Sequence, residues 1–136
     1  MRARATTLYR DLLAQARSAR ESAYAPYSGF KVGAALKTSR GDIYTGCNVE
    51  NASYGLAVCA ERAAVFKAVS DGQREFSAIA VVTGARQLAT PCGACRQVLA
   101  EFAEDLVIVL GNVDGAVETH RLTRLFPSPF KLRPKG

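Results

Sequence analysis

Ala78-Ile79-Ala80-Val81-Val82-Thr83, Thr90-Pro91-Cys92-Gly93-Ala94-Cys95-Arg96-Gln97-Val98-Leu99-Ala100-Glu101 and Leu106-Val107-Ile108-Val109-Leu110 follow one another along the chain. The first and third stretches are short apolar runs rich in β-branched residues, as buried strands are. Between them Thr90 supplies an N-cap and Pro91 a first helical position, which predicts a helix through Glu101. Two strands joined through a helix are expected to lie parallel. Working outward, Phe30–Leu36 and Ile43–Asn48 read as strands around the turn Thr38-Ser39-Arg40-Gly41-Asp42, an antiparallel hairpin. Ala57–Ser70 reads as a helix stopped by Asp71-Gly72. Thr6 or Thr7 caps a first helix whose Leu8, Leu12, Leu13, Ala16 and Ala19 recur at helical spacing, a core stripe that ends before Pro26. A hairpin followed by alternating helices and strands implies an α/β layered domain, a mixed sheet with helices on its faces.

The chain has 136 residues, 49% of them hydrophobic, which suits one domain with a single core spanning 1–136. No repeat or linker divides it, and only the end, from about residue 127, reads as a loosely structured basic tail. No apolar run nears the roughly 20 residues of a membrane span, and Met1-Arg2-Ala3-Arg4-Ala5-Thr6 lacks the apolar stretch of a secretory signal, so the cytoplasm is the expected compartment. The net charge of +6 gathers towards both ends. We read it as a solvated basic surface, not a nucleic-acid footprint.

Four cysteines in an exported chain would suggest disulfides, but Cys59 followed by Cys92-Gly93-Ala94-Cys95 suits a metal better. Three thiols near the starts of two predicted helices, with Glu61 beside them, make an open site: a structural zinc fills four positions with protein ligands, a catalytic one leaves the fourth free. Helix N-termini also favour the thiolate form that zinc binds. A fourth ligand from Cys47 would close the site, but Cys47 ends a strand without a second Cys-x-x-Cys and is read as a small buried residue. His120, the one histidine, is read as a surface strand residue. Asn48 and Glu50 alternate onto one side of an extended segment, as a pair of hydrogen-bonding groups facing a ligand would.

Cys59-Ala60-Glu61-Arg62, Pro91-Cys92-Gly93-Ala94-Cys95-Arg96-Gln97 and Asn48-Val49-Glu50-Asn51 together resemble the small homotetrameric zinc-dependent cytidine deaminases, over about Tyr24 to Glu101. The Cys-Ala-Glu and Pro-Cys-x-x-Cys spacings match the three-cysteine form of the zinc deaminase pattern. The resemblance implies a three-layer α/β/α sandwich with a five-stranded sheet. It implies one Zn²⁺ per subunit on Cys59, Cys92 and Cys95, and Glu61 as the group that carries protons during hydrolysis of cytidine or 2′-deoxycytidine to the uracil nucleoside and ammonia. It further implies that Arg62 bonds a ligand sulfur and offsets negative charge, that Asn48 and Glu50 bond the 3′-hydroxyl of the sugar, that Phe30 packs on the pyrimidine and that the backbone of Ala60 faces its exocyclic edge. Ala52, Tyr54 and Phe130 match positions that a neighbouring subunit contributes in a tetramer. Three other readings stand beside it: a blasticidin-type aminonucleoside deaminase, which lacks the Glu50-Asn51 part of the strip; a nucleic-acid deaminase; and a non-catalytic zinc-stabilised module that binds RNA.

Overall fold

The computed structural model describes residues 8–135. Helix α1 is Arg10–Arg20, strand β1 Val32–Thr38 and strand β2 Ile43–Cys47. A single 3-10 turn at Tyr54–Leu56 precedes α2, Ala60–Ser70; then come β3, Phe76–Thr83, α3, Gly93–Phe102, β4, Val107–Asn112, β5, Val117–Arg121, and the short α4, Leu122–Leu125. The strands form one sheet in the order β2-β1-β3-β4-β5. β3 and β4 are parallel, as their intervening helix predicts, and the other neighbours are antiparallel.

Strand alternation sorts the side chains into two cores. Ala34, Leu36, Ile79, Val81, Ile108 and Leu110 face α2, α3 and α4. Ala35, Ala78, Ala80, Val82 and Val109 face α1. The result is the expected three-layer α/β/α sandwich, with β3 and β4 buried on both faces and therefore continuously apolar in sequence.

Several boundaries differ from the sequence expectation. The Thr6 or Thr7 cap lies outside the described residues, Tyr9 occupies the N-cap position of α1, and Leu8 is 68% exposed, so the core stripe consists of the buried Leu12 and Ala16 with Leu13 packed partly buried beside them. Ala57 and Val58 are not helical: Val58 pairs with Val49 in an isolated antiparallel bridge, and α2 starts after Cys59. Likewise α3 starts after Cys92, not at Pro91. In both places a cysteine with extended backbone takes the N-cap position, φ −77° and ψ 154° at Cys59, φ −65° and ψ 168° at Cys92. The fifth strand, expected from the resemblance and from the reading of His120 as a surface strand residue, exposes Glu118, Thr119 and Arg121, polar residues that suit an unpaired sheet edge. Beyond α4 there is no further helix or strand among the described residues, yet the tail is tied down, because Gln97 Nε2 donates to the Phe130 carbonyl at 2.9 Å and its Oε1 accepts from the Phe130 N–H at 3.3 Å.

Candidate active site

The two N-capping cysteines and Cys95, in the first turn of α3, bring three sulfurs within 4.8 Å of one another. Cys59 Sγ lies 3.8 Å from Cys92 Sγ, and Cys92 Sγ lies 3.5 Å from Cys95 Sγ. A tetrahedral zinc with Zn–S bonds of about 2.3 Å sets its sulfurs about 3.8 Å apart, so the cluster matches that ion in size as well as donor type. Cys47 is half-buried at the end of β2 and outside the cluster. His120 sits on β5 with its Nε2 3.1 Å from Glu118 Oε1.

Charge within the cluster is uneven. The Cys59 thiol is pulled down to about 5, first by the hydrogen bond from Cys95 and then, against burial, by bonds from Arg62 and Cys92. Cys95 is pushed up because it shares its proton with Cys59, is buried, and faces the negative charge of Glu61. Arg62 Nη2 donates to Cys59 Sγ at 3.4 Å, while its Nε is buried with no hydrogen-bond partner among the described residues. An arginine held against the Cys59 and Cys95 sulfurs with a donor to spare suits a cluster whose thiols are deprotonated, as metal binding demands.

Glu61, on the first turn of α2, is one of four buried polar or charged residues in the described chain. Burial pushes its carboxyl up to about 7; its own backbone N–H opposes this, the charge on Cys59 adds to it and Arg62 opposes it. A carboxyl with that affinity both takes and gives protons near neutrality. It lines a cleft of about 380 Å³, within the size range of small-molecule sites, whose walls also include Phe30, Asn48, Glu50, Ala60 and Thr83. A neighbouring hollow of about 300 Å³ shares Glu50, Tyr54 and Ala57 with it. A third, of about 470 Å³, lies beside α1 and contains none of the thiols.

The structure thus gathers Cys59, Glu61, Arg62, Cys92, Phe30, Asn48, Glu50, Ala60 and Tyr54 at one cleft. Ala52 and Phe130 are exposed and do not line it. Asn48 and Glu50 prove to be structural as well. Asn48 Oδ1 accepts from the Val32 N–H at 2.8 Å and its Nδ2 donates to the Phe30 carbonyl at 2.8 Å. Glu50 accepts from the backbone N–H of Tyr27 and of Ser28, and from the Ser28 hydroxyl. Ser28 Oγ in turn accepts from the Phe30 N–H at 3.0 Å. The bond from Ser28 is the foremost reason the Glu50 carboxyl is held below its ordinary range. The sequence marks Thr90 only as a helix cap and gives no functional signal for Ser28 or Thr83, since lone hydroxyl residues carry no spacing pattern.

The family model for the cytidine and deoxycytidylate deaminase zinc-binding region matches residues 6–110. The chain belongs to that family. A cytidine deaminase of Sporosarcina psychrophila is 51% identical over 120 residues, covering 88% of each chain. The crystal structure of the cytidine deaminase from Burkholderia pseudomallei superposes with a TM-score of 0.87 at 52% identity, covering 90% of this chain and 98% of that one. A blasticidin-S deaminase of Bacillus cereus is more distant, 30% identical over 107 residues, 73% of this chain and 76% of that one. The five-stranded fold and a zinc-binding region are those of the family, and the Cys59, Cys92 and Cys95 cluster is placed to hold such an ion.

Proposed function

We propose that this protein hydrolyses cytidine and 2′-deoxycytidine to uridine and 2′-deoxyuridine plus ammonia, as the names of its half-identical relatives indicate for those proteins. The observation that carries this reading is the buried Glu61 beside the three-thiol cluster at the floor of the cleft. Cys59, Cys92 and Cys95 are the proposed holders of the zinc, which when bound supplies Lewis acidity that brings the pKa of a coordinated water down to about 7. Glu61 takes a proton from the attacking water as its oxygen adds to C4 of the cytosine ring. It gives that proton to the ring nitrogen, then takes the remaining proton from the hydroxyl formed on C4 and passes it to the exocyclic amine, so that the C4 carbonyl forms, the C4–N bond breaks and neutral ammonia departs. Arg62 holds Cys59 as a thiolate.

Phe30 covers the pyrimidine, Ala60 faces its exocyclic edge, and Asn48 and Glu50 receive the sugar hydroxyl. A ligand without the hydroxyl forgoes the bonds that the second Nδ2 hydrogen of Asn48 and the remaining lone pairs of Glu50 can make, which disfavours free cytosine. The protein works as a homotetramer in which Ala52, Tyr54 and Phe130 complete a neighbour's site. In support, Tyr54 is 83% and Phe130 69% exposed, unusual for large apolar side chains unless something covers them. A reducing compartment such as the cytoplasm suits the four free cysteines. No helix among the described residues is long and apolar enough to cross a membrane.

The test is ammonia release from cytidine, 2′-deoxycytidine, CMP, cytosine, blasticidin S and a cytosine-containing oligonucleotide, run down a dilution series with molar mass followed by light scattering. Turnover of the two nucleosides, lost as the assembly dissociates, is expected. Preferential turnover of blasticidin S or the oligonucleotide would reassign the substrate, inactivity on all would leave a structural zinc module, and a fully active monomer would contradict the shared site.

A further inference from the structure

Cys92 is the exposed member of the thiol cluster, and it closes a stretch of chain that no ladder holds. The pairing of β3 with β4 ends at Thr83 and Asn112, and residues 84–92 contain no helix or strand. Asn112 anchors the start of this stretch, its Nδ2 donating to the carbonyls of Ala85 and Arg86 at 3.2 Å. At the other end Pro91 is fully buried, and one polar side chain ties the backbone down. Arg96 folds back from the first turn of α3 and donates from Nε to the Pro91 carbonyl at 2.7 Å, from Nη2 to Thr90 Oγ1 at 2.9 Å and from Nη1 to the Leu125 carbonyl at 2.8 Å. Leu125 ends α4, which is locked to the core through the buried Leu122.

We propose that Arg96 is a positioning residue for the metal centre: its guanidinium clamps the Thr90-Pro91 segment to the end of α4 and so fixes where Cys92 presents its sulfur. The inference rests on the reading of Cys92 as a zinc ligand. Arg96 itself neither lines the cleft nor bonds a thiol, so it acts through the loop alone. No carboxylate pairs with it among the described residues, and three oxygens in three directions satisfy its charge. A planar fork with five N–H donors can meet that arrangement, whereas the compact ammonium of lysine cannot reach all three oxygens at once. Partners that orient metal ligands without touching the metal typically change metal affinity by about 10- to 100-fold when removed.

The test is the rate at which native, zinc-loaded protein releases zinc to a chromogenic chelator, with thermal stability measured alongside. Release from Arg96→Ala is expected to be about tenfold faster or more, with Arg96→Lys close behind. Thr90→Ala, which removes one bond of the three and carries the test should Arg96→Ala fail to fold, is expected to release zinc about threefold faster. Arg17→Ala is the control, because it also removes an arginine-to-carbonyl bond, to Val113 at 3.1 Å, but far from the cysteines in sequence and on α1. Wild-type release rates in the Arg96 and Thr90 variants would overturn the proposal, as would equal acceleration in Arg17→Ala. Zinc held undiminished by Cys92→Ser would overturn the ligand assignment and this inference with it. Zinc lost from Cys92→Ser but released normally from the Arg96 variants would overturn the inference alone.

Discussion

Asn48 and Glu50 each bond the segment that carries Phe30 while lining the cleft, so the polar strip that shapes the wall is also the one proposed to meet the ligand. Ser28 is the hinge of that arrangement, donating to Glu50 and accepting from the Phe30 N–H. Ser28→Ala is therefore expected to raise KM for the nucleosides severalfold, the equivalent of one hydrogen bond of about 1 kcal/mol, with kcat little changed. An unchanged KM, or a fall confined to kcat, in steady-state assays would contradict the role. The chemistry-bearing residues were legible in sequence because metal spacing leaves a mark: a ligand two residues before a glutamate and a Pro-Cys-x-x-Cys downstream. Ser28 and Arg96 left no such spacing, since their bonds mix backbone groups, up to 29 residues away, with the side chains of Glu50 and Thr90, partners that only the fold brings together.

Elements were legible where their periodicity is unambiguous and less so where the site bends them. The strands of β3 and β4 and their parallel pairing followed from two apolar runs around a helix. The starts of α2 and α3 did not, because Cys59 and Cys92 take extended backbone at the N-cap in place of helix, next to the Val49–Val58 bridge at one site and to the Pro91 carbonyl that accepts from Arg96 at the other. The seating of α2 on the hairpin depends on Gly46 in β2. A Cβ there would lie 2.5 Å from the Ala60 carbonyl oxygen and 2.6 Å from the Ala64 nitrogen, too close for any atom to yield except helix backbone. Gly46→Ala is thus expected to cost about 1–3 kcal/mol in denaturant unfolding and to weaken zinc binding by displacing the turn that holds Cys59 and Glu61. Gly33→Ala, which would strike α1 at the Ala16 carbonyl on the opposite face, is expected to cost stability with zinc affinity kept. Equal zinc affinity in both variants would contradict this account.

Across the whole molecule, two helices point their N-termini at one spot beside the sheet, and the fold supplies everything the proposed hydrolysis needs within one chain except a cover for the exposed Tyr54 and Phe130. That incompleteness is the physical argument for a shared site, and neither composition nor spacing could have revealed it. The layered architecture and the thiol cluster separate in their demands: the helices packed on the sheet hold the cysteines in place, and the cleft beside them is the proposed selector of the ligand. The claim on which the rest depends is that the cluster is an open catalytic centre with Glu61 as its proton carrier, not a structural staple. Glu61→Gln, assayed with cytidine after zinc loading, tests it most directly. Zinc content and assembly mass should equal those of wild type while turnover falls at least about a hundredfold. Near wild-type turnover with zinc retained would contradict the account.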